Sequence, residues 1–288
     1  TCRCLADDTL LLQGQASQAG KHLGTRFAGV LKVVATGGVV RQDTDTLHVE
    51  GADSVVLILA AATDYNFSAP GSPLPGDLVA TARARAEAAA ATPYGQLLET
   101  HLADHGERYN RVALALDSGA CGERPTDARV QAIKEGGTDT TLEALQFHYG
   151  RYLLITSSPP GAMPANLQGV WNELLAAPWD SDYHININTQ MNYWHAESTN
   201  LSDCHEPFFD LMEKLLPNAR AAARQLGCRG AFAGVTTDAW LYTTFYGRPG
   251  YGMWVMGLAW CSQHFMEHVR FTGDLVFLKE RALPMLRE

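Results

Sequence analysis

One segment limits the possible architectures more than any other. Residues 66 to 79, "NFSAPGSPLPGDLV", hold three prolines and two glycines, so neither a helix nor a ladder strand can run through them. The hydrophobic period differs on the two sides of this break. Before it, "TLLLQGQ", "RFAGVLKVVATGG", "TLHVEGA" and "SVVLILAAAT" are β-branched or alternating runs separated by Gly, Asp and Thr, which predicts an antiparallel β module. The alternation in "TLHVE" predicts one solvent-facing side, and the continuous "VVLILAAA" predicts a central strand covered on both faces. After the break, "TARARAEAAAATPYGQLLETHLADHGERYNRV" is rich in Ala, Leu, Arg and Glu and predicts a helical linker interrupted at Pro93. A short "RVALALD" strand and the Gly/Pro loop "SGACGERPTD" follow it.

Beyond Asp139 the pattern is helical, with long loops between the helices. Asp139 predicts an N-cap for "TTLEALQFHYGRYLLITSS", with Leu142, Leu145, Tyr149 and Leu153 on one face. Asp203 and Glu206 approximate a capping box for a helix that ends at Gly227. "GYGMWVMGLAWCSQHFMEHVRFTG" is apolar nearly all round, as in a buried inner helix. Strands first and helices after them place the chain among α+β multidomain proteins.

Composition removes several classes of function. The chain has 288 residues with a net charge of -9, and its 22 Lys and Arg are scattered singly, so no basic stripe invites nucleic acid. The longest apolar run, "SVVLILAAA", stops at Thr63, well short of the ~20 residues of a membrane span. Six cysteines form no CxxC pair, which argues against zinc, and no motif calls for a cofactor. Sequons at Asn66 and Asn200 hint at a secretory route, but the compartment stays unknown. No signal segment opens the chain, which starts at Thr1 and reads as a piece of something longer.

The loops carry the chemistry. In "HININTQMNYW" an extended backbone sets His184, Asn186 and Asn188 on one side and Ile185 and Ile187 on the other. Amide and imidazole groups donate and accept, which suits sugar hydroxyls, and the neighbouring Tyr193 and Trp194 suit the C–H faces of a pyranose. Asn192 lies in the same run. Upstream, Trp171, Asn172, Glu173, Trp179, Asp180 and Asp182 place carboxylates beside tryptophans, an arrangement that raises a carboxyl pKa toward an acid's working range. Downstream, "TTDAWLYTTFYGRPGYGMW" adds Asp238, Trp240 and Trp254. In "HFMEH", His264, Glu267 and His268 share one helical face, and a structural His/Glu network is expected there rather than a metal site.

Four of these segments, "GRYLLITSSPPGAMPANLQGVWNE", "APWDSDY", "HININTQMNYWHAESTNLSDCHEPFFDLM" and "GMWVMGLAWCSQHFMEHVRFTGD", together resemble glycoside hydrolase family 95, the inverting α-L-fucosidases. The resemblance extends upstream through "HLADHGERYNRVALAL" into the β module. It implies the end of a β-sandwich over 1–72, a helical linker over 73–137, and over 138–288 the first half of an (α/α)6 barrel of the six-hairpin glycosidase type. It further implies that Asn186 and Asn188 orient the attacking water and that His184 meets the fucose, with Trp171, Asn192, Asp238, Trp240 and Trp254 as further sugar-binding candidates. The substrate implied is a fucosylated oligosaccharide or glycoconjugate, with no metal and no cofactor. The family's general-acid segment, Pro-Ser-x-Ser-Pro-Glu-Asn, and its base are expected beyond Glu288, so the chain alone is expected to be inactive. The family's His-His-Asn-Thr-Asp stretch reads "GVTTD" at 234–238. That departure keeps two alternatives open: an α-L-galactosidase of the same architecture, and a non-catalytic glycan-binding protein.

Overall fold

The structure, a computed structural model, describes residues 1–17, 20–116 and 124–288. It divides into two compact units, Thr1–Asp104 and His105–Glu288.

In the first unit, strands β1 (Cys2–Ala6), β2 (Thr9–Ser17), β3 (Leu23–Thr36) and β6 (Ser54–Thr63) form an antiparallel sheet in the order β1-β2-β3-β6, and β4 (Val39–Asp43) pairs with β5 (Thr46–Glu50). Helix α1 (Leu78–Ala90) starts immediately after the Pro/Gly break, where Asp77 accepts from the backbone N–H groups of Val79 and Ala80. Its small Ala82 and Ala86, one turn apart, let it lie close against Leu11, Ala28, Val30 and Ala62 of the sheet. The "VVLILAAA" run does not behave as expected: β6 is an edge strand, and only one of its faces is covered. Ala60 and Ala62 face α1, while Leu57 and Leu59 are 63% and 74% exposed.

Helix α2 (Tyr94–Tyr109) begins after Pro93, as the linker reading expected. Residues 111–116 of the expected "RVALALD" strand carry no strand, and Cys121 with most of the following loop lies outside the described residues. The second unit then runs α3 (Thr126–Lys134), α4 (Thr140–Ser157), β7 (Tyr183–His184), α5 (Asn188–Tyr193), α6 (Glu206–Gln225), β8 (Thr236–Thr237), α7 (Pro249–Gly252) and α8 (Gly257–Thr272). It closes on α9 (Leu275–Phe277), a π-turn and α10 (Leu283–Leu286).

Asp139 caps α4 by accepting from Leu142 N at 3.0 Å, and it also holds the buried Arg129. The buried face of α4 carries Ala144, Arg151, Leu154 and Ile155 and not the expected stripe, since Leu145 and Tyr149 are exposed. The reason is Arg151, which is fully buried and donates to the carbonyls of Arg108, Tyr109 and Thr199, serving the last turn of α2 as a C-cap. Asp203 forms no capping box. Its carboxylate is taken by Arg108 and Arg111 at 2.8 and 2.7 Å. Gly227, at φ 71°, does end α6 as expected. Arg281 binds Glu206, Asp210 and Glu213 of α6 together. No helix among the described residues is long and apolar enough to cross a membrane.

Candidate active site

The segment that opens the site is only partly extended. Tyr183 and His184 pair with Thr237 and Thr236, and Ile185 N donates to Val235 O at 2.8 Å. Ile185 is fully buried beside Gly257 and Trp254, and a side chain at position 257 would meet both. The expected row of three polar groups is broken at Ile187, which is 43% exposed, and Asn188 is already the first residue of α5. The pairing partner β8 is two residues long, so nothing holds the backbone extended past Asn186.

The amides divide into two kinds. Among the described residues, no hydrogen bond engages the side chain of Asn186 or Asn188, and Asn186 Oδ1 is buried with no partner. Trp254 Nε1 is likewise a buried donor with no acceptor. Asn192 is different: its Nδ2 donates to Asn166 O at 2.9 Å and so supports loop backbone. It shares a separate cleft of about 330 Å³ with Trp171 and His195. The residues expected to bind one sugar therefore fall into two places.

Around His184 the groups are acidic and aromatic. Its Nε2 lies 2.9 Å from Asp182 Oδ1, and the imidazole and the Trp179 ring meet edge to face, with centroids 5.9 Å apart. Burial, with the charges of Asp180 and Asp238 added, pushes the Asp182 carboxyl up to about 7, while burial lowers the His184 pKa. Asp238 closes a turn on Trp240 N at 2.8 Å, and Trp240 stands half exposed. In the "GVTTD" stretch, Thr236 bonds the Tyr242 hydroxyl and Thr237 donates to the Tyr242 carbonyl. Burial and the neighbouring acids push the Tyr242 phenol up to about 12.

A second cluster was missed in the sequence. The buried Glu197 accepts from Ser202 Oγ at 2.5 Å, and Nδ1 of His205 and of His268 stand 2.8 and 2.7 Å from its Oε1. His205 Nε2 continues to His264 Nδ1 at 2.9 Å. His264 and His268 do join a network, but through Glu197. Glu267 pairs instead with Arg270 on the surface. The signal lay in "HAESTNLSDCH", where Glu197, Ser202 and His205 bracket a tight turn. Glu197, His205 and His268 could in principle ligate a metal. However, ligands on a tetrahedral zinc stand roughly 3.3 Å apart, and the oxygen–nitrogen spacings here are those of hydrogen bonds.

The buried histidines of this unit set an expected pH response. Burial lowers the pKa of His205, of His195 and of His184, and lowers His264 to about 3. The unfolded chain then takes up protons first, so stability falls as pH drops below about 6.5. Asp182, raised, acts the other way, with one proton against four. Glu197 adds a later loss: burial alone would raise its pKa, but its three hydrogen bonds bring it down to about 2, so its contribution is lost as pH falls below about 4.5 toward that value. A melting temperature that rises between pH 6.5 and 5 would contradict neutral histidines in the fold.

Residues 93–288 match the glycosyl hydrolase family 95 catalytic domain. The chain belongs to glycoside hydrolase family 95. Residues 1–68 match the N-terminal domain of glycosyl hydrolase family 65. Among relatives of this family 95 chain, "Alpha-L-fucosidase 2" of Arabidopsis thaliana is 39% identical over 92% of the chain and 32% of its own length. "Probable alpha-fucosidase A" of Aspergillus niger is 32% identical over 83% of the chain and 31% of its own length. The chain thus spans about a third of the length of these curated relatives. A solved structure described as a putative kojibiose phosphorylase from human microbiome superposes with a TM-score of 0.58, covering 99% of this chain and 34% of that one at 12% identity, a likeness of fold.

Proposed function

We propose that the protein to which this chain belongs hydrolyses terminal α-L-fucosides with inversion at the anomeric carbon. In this reading, 1–72 is the end of a β-sandwich, 73–137 a helical linker and 138–288 the first half of an (α/α)6 barrel. The exposed Leu57 and Leu59 then mark the sheet face that meets the rest of the sandwich. The observation that carries the functional reading is the free state of two amides. Asn186 and Asn188 follow β7, the first half-buried and the second exposed at the start of α5, the fold engages neither side chain, and Asn186 Oδ1 is a buried acceptor with no donor. A water held there gives one hydrogen to the amide oxygen and keeps its lone pair aimed at the anomeric carbon.

An inverting step needs a carboxylic acid on the leaving oxygen and a base on the water, roughly 6.5 to 9.5 Å apart. No residue here is assigned to either duty. His184, Asp238, Trp240 and Trp254 serve the sugar; Trp171 and Asn192 lie in the outlying cleft. The full-length protein is expected to cleave an aryl α-L-fucoside and release β-L-fucose first, seen by proton NMR, while residues 1–288 alone release none. First-formed α-L-fucose, or turnover by 1–288, would overturn this reading.

A further inference from the structure

Resting on that reading of His184 as a sugar contact, we infer that Asp182 is a positioning residue which sets the tautomer of His184 and so decides whether its Nδ1 gives or takes a hydrogen bond. Asp182 Oδ1 and His184 Nε2 are 2.9 Å apart, with the two side chains 12% and 14% exposed. The two atoms are close but lack hydrogen-bond alignment, so Oδ1 is a buried oxygen with no hydrogen-bond partner, and a small turn of either side chain would complete the bond. Among the described residues nothing in the chain bonds His184 Nδ1, which is left for a ligand.

The backbone is built to put this carboxyl here. Trp179, Asp180 and Ser181 take φ of 54°, 58° and 51° in succession, a left-handed stretch of three residues with side chains. Residues with a Cβ are strained in this conformation and persist there only where the surroundings enforce it. The enforcing bonds are Ser181 Oγ to Asn166 Oδ1 at 3.0 Å and Leu167 N to Asp182 O at 3.1 Å. The imidazole is fixed from the other side by β7 pairing with Thr236 and by the Trp179 ring.

The proton count balances in both states. Protonated Asp182 donates O–H to Nε2, so the ring proton sits on Nδ1, which becomes a donor. When Asp182 releases its proton to solvent, the ring proton moves to Nε2 and is donated to the carboxylate, leaving Nδ1 as an acceptor. The ionisable groups facing the pair are Asp180 on the same loop, Asp238 after β8, and Tyr242, whose hydroxyl is held by Thr236. Burial, with the charges of the two acids added, favours the protonated form of Asp182 and places the change near neutrality.

The test is a titration of His184 by imidazole 15N NMR in residues 1–288, with the resonance assigned by its loss in His184→Gln. From about pH 6 to about pH 8.5, the share of Nδ1–H tautomer in the neutral ring is expected to fall at least about threefold, and in Asp182→Asn to stay constant. A wild-type ratio that does not move with pH overturns the inference. So does an Asp182→Asn chain that reproduces the wild-type change. In the full-length protein, Asp182→Asn is expected to raise KM about tenfold with kcat changed less than about threefold, and an unchanged KM would sever the pair from the sugar. If the titration behaves as expected while the full-length protein cleaves no fucoside, the pair stands and the glycosidase reading fails.

Discussion

Glu197→Ala is expected to destabilise the helical unit by about 3–5 kcal/mol, the cost of breaking a buried, hydrogen-bonded charged centre. The carboxylate is 2% exposed and is the shared acceptor for Ser202 and His205, on the turn before α6, and for His268 on α8. Removing it leaves two imidazole N–H groups and a hydroxyl without an acceptor, each worth about 1–3 kcal/mol when buried. The effect spreads because His205 stacks on Tyr193, and Tyr193 Oη in turn accepts from Ala165 N and bonds Ser158. For a unit of this size the melting temperature should fall on the order of 10 °C in a thermal scan. Glu267→Ala, on the surface of the same α8 helix, should move it by less than about 1 °C. Equal effects at both positions would mean that the network is not what joins these segments.

Much of the architecture was legible because it rests on local rules. The Pro/Gly break, the Asp139 cap, the stop at Gly227 and the interruption at Pro93 each follow from one residue's backbone chemistry, and each stands where the sequence placed it. What failed depended on partners far along the chain. "VVLILAAA" reads as a central strand until β3 is known to be its one neighbour among the described residues. The apolar stripe of α4 lost to Arg151, whose carbonyl partners lie 39 to 48 residues away. Asp203 looked like a cap until Arg108 and Arg111 reached it.

The site shows the same division. The residue types were readable, and so was the possibility of a raised carboxyl near Trp179. Which carboxyl it would be was not, because Asp182 is raised mainly by burial, which only the folded loop decides, with Asp180 and the distant Asp238 adding to it. Nor could spacing show that Asn192 is committed to Asn166 while Asn186 and Asn188 are not.

In the full-length protein, Asn186→Ala and Asn188→Ala are each expected to lower kcat about 10²- to 10³-fold, the size seen when one oriented hydrogen-bonding group is removed from a transition state. KM should change less than about threefold, because the amides act on the attacking water and not on the bound sugar. Stability should hardly move, since neither side chain bonds any part of the fold. That combination separates the two kinds of asparagine. Asn192→Ala removes a support of the 166 loop and should lower the melting temperature by a few degrees.

The central claim is that the Asn186 amide orients a water, and steady-state kinetics of Asn186→Ala in the full-length protein tests it most directly. A kcat reduced at least about a hundredfold at near-constant KM and melting temperature is the predicted result. A kcat within about threefold of the unaltered protein, or a loss confined to KM, would contradict it.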